Sequence, residues 1–281
     1  MEGLVLGLIQ GITEWLPVSS EGVIFLVSLN FFQNLTAQDA FRLALWLHLG
    51  TFFAALIYFR DTISLLFKEL FNWRQATEEV KNVWIFLLLA TSISGIIGVS
   101  LLKGADVLLE QLASGRKIFG LDFSITEIII GAIGGLLLLT GIAQFLTKAE
   151  GRKEEGQIKI SDSILLGIVQ GFSVLPGLSR SGLTIAALLL RRFEKQTALQ
   201  LSFLMSLPIV LGGNIIINLD KSFFTLGAIL GLATSFIFGY LTIEVLMRMA
   251  RKVNYGLFVI FFGAITLLSL IIYNYVQTST T

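Results

Sequence analysis

The chain contains repeated apolar runs of about 20 residues, the length that an α-helix needs to cross the hydrocarbon core of a bilayer. Apolar residues make up 55% of its 281 residues and charged residues only 14%, whereas soluble domains average roughly 25% charged residues. So many long apolar runs cannot all lie in the interior of one soluble domain. The sequence therefore predicts an all-α integral membrane protein.

Six of the apolar runs are continuous and predict spanning helices. They cover approximately residues 41–59, 83–102, 126–146, 197–218, 223–247 and 255–275. The net charge of +1 provides no basic surface for nucleic acid, so no such partner is expected. The absence of cysteine excludes disulfides, thiolate chemistry and cysteine-ligated zinc sites.

Two further apolar stretches, residues 3–29 and 163–190, are interrupted in the middle by polar tips. The first tip reads LPVSSEG (residues 16–22) and the second reads LPGLSRSG (residues 175–182). Backbone groups in such tips stay unpaired in lipid, so they are tolerated only inside protein or beside a wet cavity. Both stretches are predicted to be re-entrant helix–loop–helix hairpins.

The two hairpins resemble each other in sequence. LGLIQGI (residues 6–12) parallels LGIVQGF (residues 166–172), which indicates two repeats, residues 1–150 and 160–281, within one membrane domain. Three predicted spans separate the hairpins, so the second hairpin enters from the opposite face. The sequence therefore predicts an inverted-topology repeat whose broken helices meet near the midplane.

Positive charge in the predicted loops orients the chain in a plasma membrane. The richer face carries Arg60, Lys68, Arg74, Lys81, Lys148, Arg152, Lys153, Lys159, Arg191, Arg192, Lys195, Arg248, Arg251 and Lys252. The other face carries Arg42, Lys103, Arg116, Lys117 and Lys221. Because the richer face is cytoplasmic in most membrane proteins, the termini and the opening of the first hairpin are expected outside.

Arg180 lies in the second apolar hairpin, where a charge costs about 2.5–3.5 kcal/mol. It also lies at the start of a half-helix, where a cation opposes the macrodipole by roughly 0.3–1 kcal/mol. An anion relieves both penalties, and phosphate fits the free N–H groups and the guanidinium fork. The hydroxyls of Ser179, Ser181 and Thr184 are candidate phosphate donors. The alternative is an ion pair between Arg180 and Glu14.

Glu14 lies in the first hairpin, one helical turn after Gln10 on the same face. This helix is expected to pack tightly along a strip of small residues, Gly3, Gly7 and Gly11. A carboxylate displayed near its tip suits a metal ligand, with Gln10 beside it, or a general base. A buried ion pair with Arg180 is the alternative.

Ser19 and Ser20 follow the first tip. Serine is a preferred N-cap, so one of them is expected to cap the next half-helix while the other faces phosphate as a donor or nucleophile. Glu21 suits the dipole of the first turn and is at most an auxiliary residue. His48, the single histidine, lies within a predicted span. It is either an auxiliary functional residue or a hydrogen-bond partner of a neighbouring helix.

Two motifs carry a family resemblance. QGITEWLPVSSEG (residues 10–22) and PGLSRSG (residues 176–182) resemble the two signatures of the undecaprenyl-diphosphatase family of the bacitracin-resistance type. The resemblance covers nearly the whole chain. It implies removal of the terminal phosphate of a polyprenyl diphosphate, which recycles the lipid carrier of cell-envelope glycan synthesis. It also implies inverted repeats, a site open to the outer face, and dependence on Mg²⁺ or Ca²⁺.

The resemblance assigns roles to single residues. Glu14 matches the essential glutamate of the family and Ser20 its candidate nucleophile. Arg180 matches the essential phosphate-binding arginine, and Ser179 and Thr184 match supporting hydroxyls.

Two positions depart from the bacterial pattern of the family. Gln10 stands where that pattern has a second glutamate, and Val23 where it has a histidine. The amide of Gln10 can still bind a metal, whereas Val23 can neither bind a metal nor transfer a proton. His48 can take the place of the missing histidine only if it reaches the site. Archaeal branches vary at these positions, so another substrate, such as a dolichyl diphosphate, stays open.

A second class of function fits the same architecture. Broken helices that meet at the midplane also occur in transporters, so a polyprenyl-phosphate flippase or a small-anion carrier without hydrolysis is the alternative. The expected partners are the lipid diphosphate and membrane lipids. The sequence leaves the oligomeric state open, with a homodimer as one expectation.

Overall fold

The computed structural model of the chain describes residues 2–16, 19–32, 37–113, 125–146, 151–175, 178–218 and 225–250, with seven helical positions between 257 and 268. Within these ranges the regular structure is helical, apart from one isolated bridge between Lys153 and Phe193. The α-helices are α1 (Glu2–Thr13), α2 (Ser20–Phe31), α3 (Ala37–Tyr58), α4 (Arg60–Phe71), α5 (Glu78–Ala113), α6 (Ile125–Leu146), α7 (Ile160–Phe172), α8 (Arg180–Leu190), α9 (Lys195–Ile217) and α10 (Leu226–Ala250).

Among the described residues, four helices are long and apolar enough to cross a membrane, and they match four of the six predicted spans. Their apolar segments are Asp39–Tyr58, Glu78–Gly104, Lys195–Ile217 and Leu226–Val245. The predicted span 126–146 coincides with α6, which contains the shorter apolar segment Gly134–Ala143. Most of the predicted span 255–275 lies outside the described residues.

Helix α5 begins earlier than the predicted start near residue 83. Its first turn contains Glu78 and Glu79, which the helix dipole favours there. The hydroxyl of Thr77 accepts a hydrogen bond from the backbone N–H of Val80 at 3.4 Å. Polar residues therefore extend the helix beyond its apolar part.

Each interrupted apolar stretch forms two helices, and the break between them lies at the polar tip, as the sequence predicts. The first hairpin consists of α1 and α2, and the second of α7 and α8. Ser19 Oγ accepts a hydrogen bond from Gly22 N at 3.1 Å, and Ser179 Oγ accepts one from Gly182 N at 3.1 Å. The second helix of each hairpin therefore begins at the same kind of serine cap. The tip residues 17–18 and 176–177 lie outside the described residues.

The two hairpins pack against helices from opposite halves of the chain. Helix α1 lies along α10 and also contacts α3, whereas α7 lies along α5. Glycines permit these close contacts: a Cβ atom at Gly7 meets the backbone of Gly231, and a Cβ atom at Gly167 lies 3.0 Å from Ala90 O. The predicted glycine strip of α1 therefore faces α10.

Helix α3 lies at the centre of the bundle, in contact with α1, α2, α9 and α10. Trp46 donates from Nε1 to Ala228 O at 2.9 Å, and Ser235 donates from Oγ to Leu47 O at 2.8 Å. These bonds fix the rotation of α3 beside the first hairpin. Residues in the middle of α3 therefore face the tip of α1.

The short helix α4, between α3 and α5, has no counterpart among the predicted elements. It turns Leu66 inward, where Leu66 O accepts a hydrogen bond from Trp84 Nε1 at 3.0 Å. Phe67 and Phe71 on its other faces are exposed. With 12 residues, α4 is too short to cross a bilayer.

Candidate active site

The tips of the two hairpins meet inside the bundle. Arg180, the first residue of α8, forms an ion pair with Glu14, which directly follows α1. Ser181 donates from Oγ to Leu16 O at 3.2 Å across the same junction. The side chains of Glu14 and Arg180 are 5% and 14% exposed, so both charges are largely withdrawn from solvent. The ion pair that the sequence allows as an alternative is therefore present.

Glu14 is surrounded by hydrogen-bond donors. Its Oε1 pairs with Arg180, and its Oε2 lies 2.9 Å from Gln10 Nε2, 2.8 Å from Ser20 Oγ and 3.1 Å from His48 Nε2. A carboxylate offers about four acceptor positions, so these contacts occupy its full capacity. Four of the predicted site residues thus converge on the fifth, Glu14.

The two serines of the first tip have different roles, which the sequence could not assign: one caps α2 and the other contacts Glu14. Ser19 caps α2 through its Oγ, and Ser20 points its Oγ at Glu14. Both are buried, at 2% and 6% exposure. Because capping occupies the Ser19 hydroxyl as an acceptor, Ser20 is the better placed of the two to reach a substrate. A phosphate contact from Ser19 stays a prediction.

His48 projects from the middle of α3 into the same cluster. Its Nδ1 lies 2.7 Å from Ala44 O one turn earlier, and its Nε2 lies 3.4 Å from Ser20 Oγ. Glu21 Oε1 lies 4.0 Å from the same Nε2. Both auxiliary residues named from the sequence therefore border the Glu14 cluster, although only His48 is within hydrogen-bonding range of it.

The hydroxyls of the second hairpin support the tip. Ser179 caps α8, and Ser181 joins the two tips. Thr184 Oγ1 donates to Arg180 O at 2.8 Å and lies 2.7 Å from Ser202 Oγ. All three hydroxyls are thus engaged with protein groups, which holds Arg180 in place. A direct phosphate contact from Ser179, Ser181 or Thr184 stays a prediction.

Thr51 also belongs to the cluster, although the sequence analysis does not name it. Gln10 Nε2 lies 3.4 Å from Thr51 Oγ1, which in turn donates to His48 O at 3.1 Å. Thr51 follows His48 by three positions and so lies on the same face of α3. That spacing is the signal that identifies it.

Buried oxygen atoms around the cluster suit a divalent cation. Gln10 Oε1 and Glu21 Oε2 are buried and have no hydrogen-bond partner in the described part of the chain. Mg²⁺ and Ca²⁺ prefer oxygen ligands, and Mg²⁺ commonly takes one or two carboxylates plus substrate phosphates. The described residues contain no group of three or more His, Cys, Asp and Glu that could hold a metal by themselves. The oxygens of Gln10 and Glu21 therefore fit a cation that a phosphate ligand also binds.

Comparison with known proteins identifies relatives over nearly the whole chain. The family model described as bacitracin resistance protein BacA matches residues 3–268. The undecaprenyl-diphosphatase of Methanococcoides burtonii is 36% identical over 96% of this chain and 97% of its own length. The undecaprenyl-diphosphatase of Methanothrix thermoacetophila is 37% identical over 95% of each chain. That of Haloarcula marismortui is 33% identical over 93% of this chain and 94% of its own.

Proposed function

The chain belongs to the bacitracin resistance protein BacA family, and on that premise we propose that it is an undecaprenyl-diphosphate phosphatase of the membrane. It hydrolyses the terminal phosphoric anhydride of a lipid-carrier diphosphate and releases the monophosphate and inorganic phosphate. The convergence of Arg180, Ser20, His48 and Gln10 on one buried carboxylate carries this proposal.

The donors that hold Glu14 are the donors that a phosphoryl group requires. Arg180 offers a planar fork, and its Nη1 is buried without a hydrogen-bond partner among the described residues. The N-terminus of α8 lies beside it and favours anions. A diphosphate that enters between the tips therefore replaces Glu14 as the anion that pairs with the guanidinium of Arg180. Donors that are already in place stabilise the charge of the transition state.

Two routes connect this geometry to hydrolysis. In one, Ser20 Oγ bonds to the terminal phosphorus, the bridging P–O bond breaks and the lipid monophosphate leaves with its electron pair; water then cleaves the phosphoserine. In the other, Glu14 takes a proton from a water that attacks the phosphorus directly. Ser20 donates to Glu14 at 2.8 Å, which suits a nucleophile whose hydroxyl is already oriented.

A divalent cation is part of the proposal. Gln10 and Glu21 would hold the cation through the oxygens that have no hydrogen-bond partner among the described residues. Glu14 would be a third ligand once its hydrogen-bond donors are displaced. The bound ion supplies positive charge that neutralises the diphosphate oxygens. Gln10 contributes a neutral amide where a carboxylate is usual for the family, so its share of that binding is weaker.

The membrane arrangement that we propose has six spans and two re-entrant hairpins in an inverted repeat. The packing supports this arrangement, because the first helix of each hairpin packs on a helix from the other half of the chain: α1 on α10 and α7 on α5. The meeting of the tips at Glu14 and Arg180 supports it as well. Loop charge favours termini and a site opening on the outer face of the plasma membrane. A homodimer stays a prediction.

The deciding experiment is phosphate release from undecaprenyl diphosphate by the purified protein in detergent, with Mg²⁺ or with EDTA. Release that depends on the cation supports the proposed enzyme. A folded protein that binds the lipid diphosphate without releasing phosphate contradicts it, and favours the carrier without hydrolysis. The names of the relatives favour hydrolysis.

A further inference from the structure

Helix α4 exposes most of the apolar side chains that it carries. Leu66 is the one residue of this helix that is buried. Phe71 is 89% exposed, and Phe67 and Leu70 are exposed as well. Apolar surface is unfavourable in water, by about 25 cal/mol for each Å². These side chains are therefore expected to have an apolar environment that the described part of the chain does not provide.

The apolar residues of α4 recur at positions i, i+4, i+7 and i+8, the spacing of a helix with one apolar face. This apolar flank consists of Ile63, Phe67, Leu70 and Phe71. Polar residues at i, i+3 and i+7 form a separate polar stripe, which consists of Asp61, Ser64 and Lys68. Leu65 is exposed on the side opposite Phe67. A helix with aromatic residues on one face and a charged stripe on another is typical of helices that lie in the plane of a membrane interface.

Hydrogen bonds, rather than burial of the apolar flank, hold α4 against the bundle. Trp84 of α5 donates from Nε1 to Leu66 O at 3.0 Å. The rings of Trp84 and Phe67 meet in a T-shaped arrangement with their centroids 5.5 Å apart. Glu69 Oε2 accepts from Thr77 N at 2.9 Å and from Thr77 Oγ1 at 3.1 Å. These contacts fix the rotation of α4, so the exposure of its apolar flank is a defined feature of the fold.

Helix α4 connects two membrane-spanning segments and therefore lies beside the boundary of the bilayer. The first segment ends at Tyr58 and the second begins at Glu78. With 12 residues, α4 is about 18 Å long, too short to cross the bilayer but long enough to lie along its surface. Trp73, just after α4, is exposed, and tryptophan is enriched at membrane interfaces. Because Trp84 belongs to the second segment, the lipid around that segment reaches the apolar flank.

A second copy of the chain is a less suitable occupant of the apolar flank. Stable protein interfaces involve roughly 20–30 residues a side. The apolar flank offers four side chains, which are far too few for such an interface. Insertion into lipid requires only that each apolar side chain leaves water. The size of the flank therefore favours lipid.

We propose that α4 is an interfacial helix whose apolar flank inserts at the boundary between the headgroups and the acyl chains of the bilayer. The polar stripe faces the headgroups and water. The flank is expected to be buried by about 5–10 Å into that boundary. Since α4 follows α3, the helix that carries His48 into the candidate site, this anchor also holds α3 at a fixed depth in the bilayer.

The test uses single cysteines, because the chain itself contains none. Each cysteine carries a nitroxide spin label, and the whole chain is reconstituted in liposomes. Phe71→Cys reports on the apolar flank and Lys68→Cys on the polar stripe. Leu88→Cys, at an exposed position of the second spanning segment, is the reference for the acyl region. Power saturation compares collisions of each label with oxygen, which dissolves in acyl chains, and with a water-soluble nickel complex.

The ratio of oxygen to nickel collisions is expected to be higher for Phe71→Cys than for Lys68→Cys. The depth of the Phe71→Cys label is expected to be about 5–10 Å, shallower than that of Leu88→Cys. Unfolding temperatures show that each labelled variant is folded. Equal nickel access for Phe71→Cys and Lys68→Cys overturns the proposal, because the flank then lies in water. Equal and high oxygen access for both overturns it as well, because the helix is then immersed on all sides.

Exclusion of both reagents from the Phe71→Cys label, with dipolar broadening between labelled copies, also overturns the proposal and identifies a second copy as the occupant. A second measurement needs no label. In liposomes with lipids brominated near the headgroups, the wild type is expected to lose a larger fraction of its tryptophan fluorescence than Trp73→Phe, since Trp15 and Trp46 are buried. Equal quenched fractions in the two proteins contradict an interfacial position of Trp73 and of the adjoining end of α4.

Discussion

The guanidinium of Arg180 and the carboxylate of Glu14 stand 166 positions apart in the sequence and form an ion pair between two hairpin tips. Each residue directly borders a helix end, one after α1 and the other at the start of α8. The carboxylate of Glu14 therefore holds the positive charge of Arg180 at the N-terminus of α8, where the helix dipole disfavours a cation. A phosphate that binds here replaces one anion by another, without a new desolvation of Arg180.

Arg180→Lys retains the charge but loses the two-pronged hydrogen bonding of the guanidinium. Because bidentate contacts to phosphate are not reproduced by an ammonium group, we expect phosphate release to fall by about 10²- to 10³-fold. In Arg180→Ala, phosphate release is expected to fall at least as far. This variant is also expected to destabilise the fold, since Glu14 then lies buried without its partner. Rates and unfolding temperatures in detergent test this, and a lysine variant at the full rate contradicts it.

The neighbouring serines provide a matched pair. Ser20→Ala removes the hydroxyl that points at Glu14, and we expect loss of nearly all phosphate release with unchanged lipid diphosphate binding. Ser19→Ala removes the cap of α2 and is expected to cost about 1 kcal/mol of stability while most of the activity stays. Turnover that persists in Ser20→Ala excludes the serine nucleophile and leaves water activated by Glu14.

Gly7→Ala tests the contact between α1 and α10. An added Cβ atom meets the carbonyl of Gly231, which is backbone and cannot rotate away. We expect a loss of about 1–3 kcal/mol as the helices separate. Gly104→Ala is the control, because nothing lies within 4 Å of its Cβ position among the described residues. There, alanine is expected to be neutral or stabilising in thermal unfolding.

Asp162 holds the two ends of the second hairpin together. It is fully buried, and its carboxylate lies 3.0 Å from Lys153 Nζ and 2.5 Å from Arg191 Nε. Asp162→Asn leaves two cations without their partner, and since both are partly solvated we expect a loss of about 2 kcal/mol. Asp61→Asn, at 97% exposure, is expected to change unfolding by less than about 0.5 kcal/mol. Equal unfolding temperatures for the two variants contradict this assignment.

Glu155 makes stability depend on pH outside the membrane segments. Burial and the nearby carboxylate of Glu79 raise the pKa of Glu155 from 4.5 to about 7. A carboxyl whose pKa is raised on folding stabilises the fold fully below pH 4.5, and this contribution disappears as the pH rises through about 7. Glu155→Gln is therefore expected to stabilise by about 1 kcal/mol at pH 8, allowing for solvent screening, and to change little at pH 5.

The control for this titration is Asp61→Asn, which removes an exposed carboxylate beside Arg60. Its effect on the unfolding temperature is expected to be the same at both pH values. A pH-independent effect of Glu155→Gln shows that its carboxylate does not titrate in this range.

The features that depend on neighbours along the chain could be predicted from the sequence alone. Apolar runs predict the four described spanning helices because the length and composition of a helix suffice to cross a bilayer. The polar tips predict the two hairpins, and the serine caps follow from the local hydrogen bond to Gly22 or Gly182. The glycine spacing of α1 predicts a close helix contact, although not that α10 is the partner.

Which side chains meet follows from the folded bundle and could not be predicted from the sequence. Successive residues point about 100° apart around a helix, so the rotation set by packing determines whether a side chain faces the site. That rotation brings His48, which the sequence leaves as an auxiliary candidate, to Ser20 and Glu14. It also engages the hydroxyls of Ser181 and Thr184 with Leu16 and Ser202. Contacts between distant segments arise from the shape of the whole bundle, which no local pattern encodes.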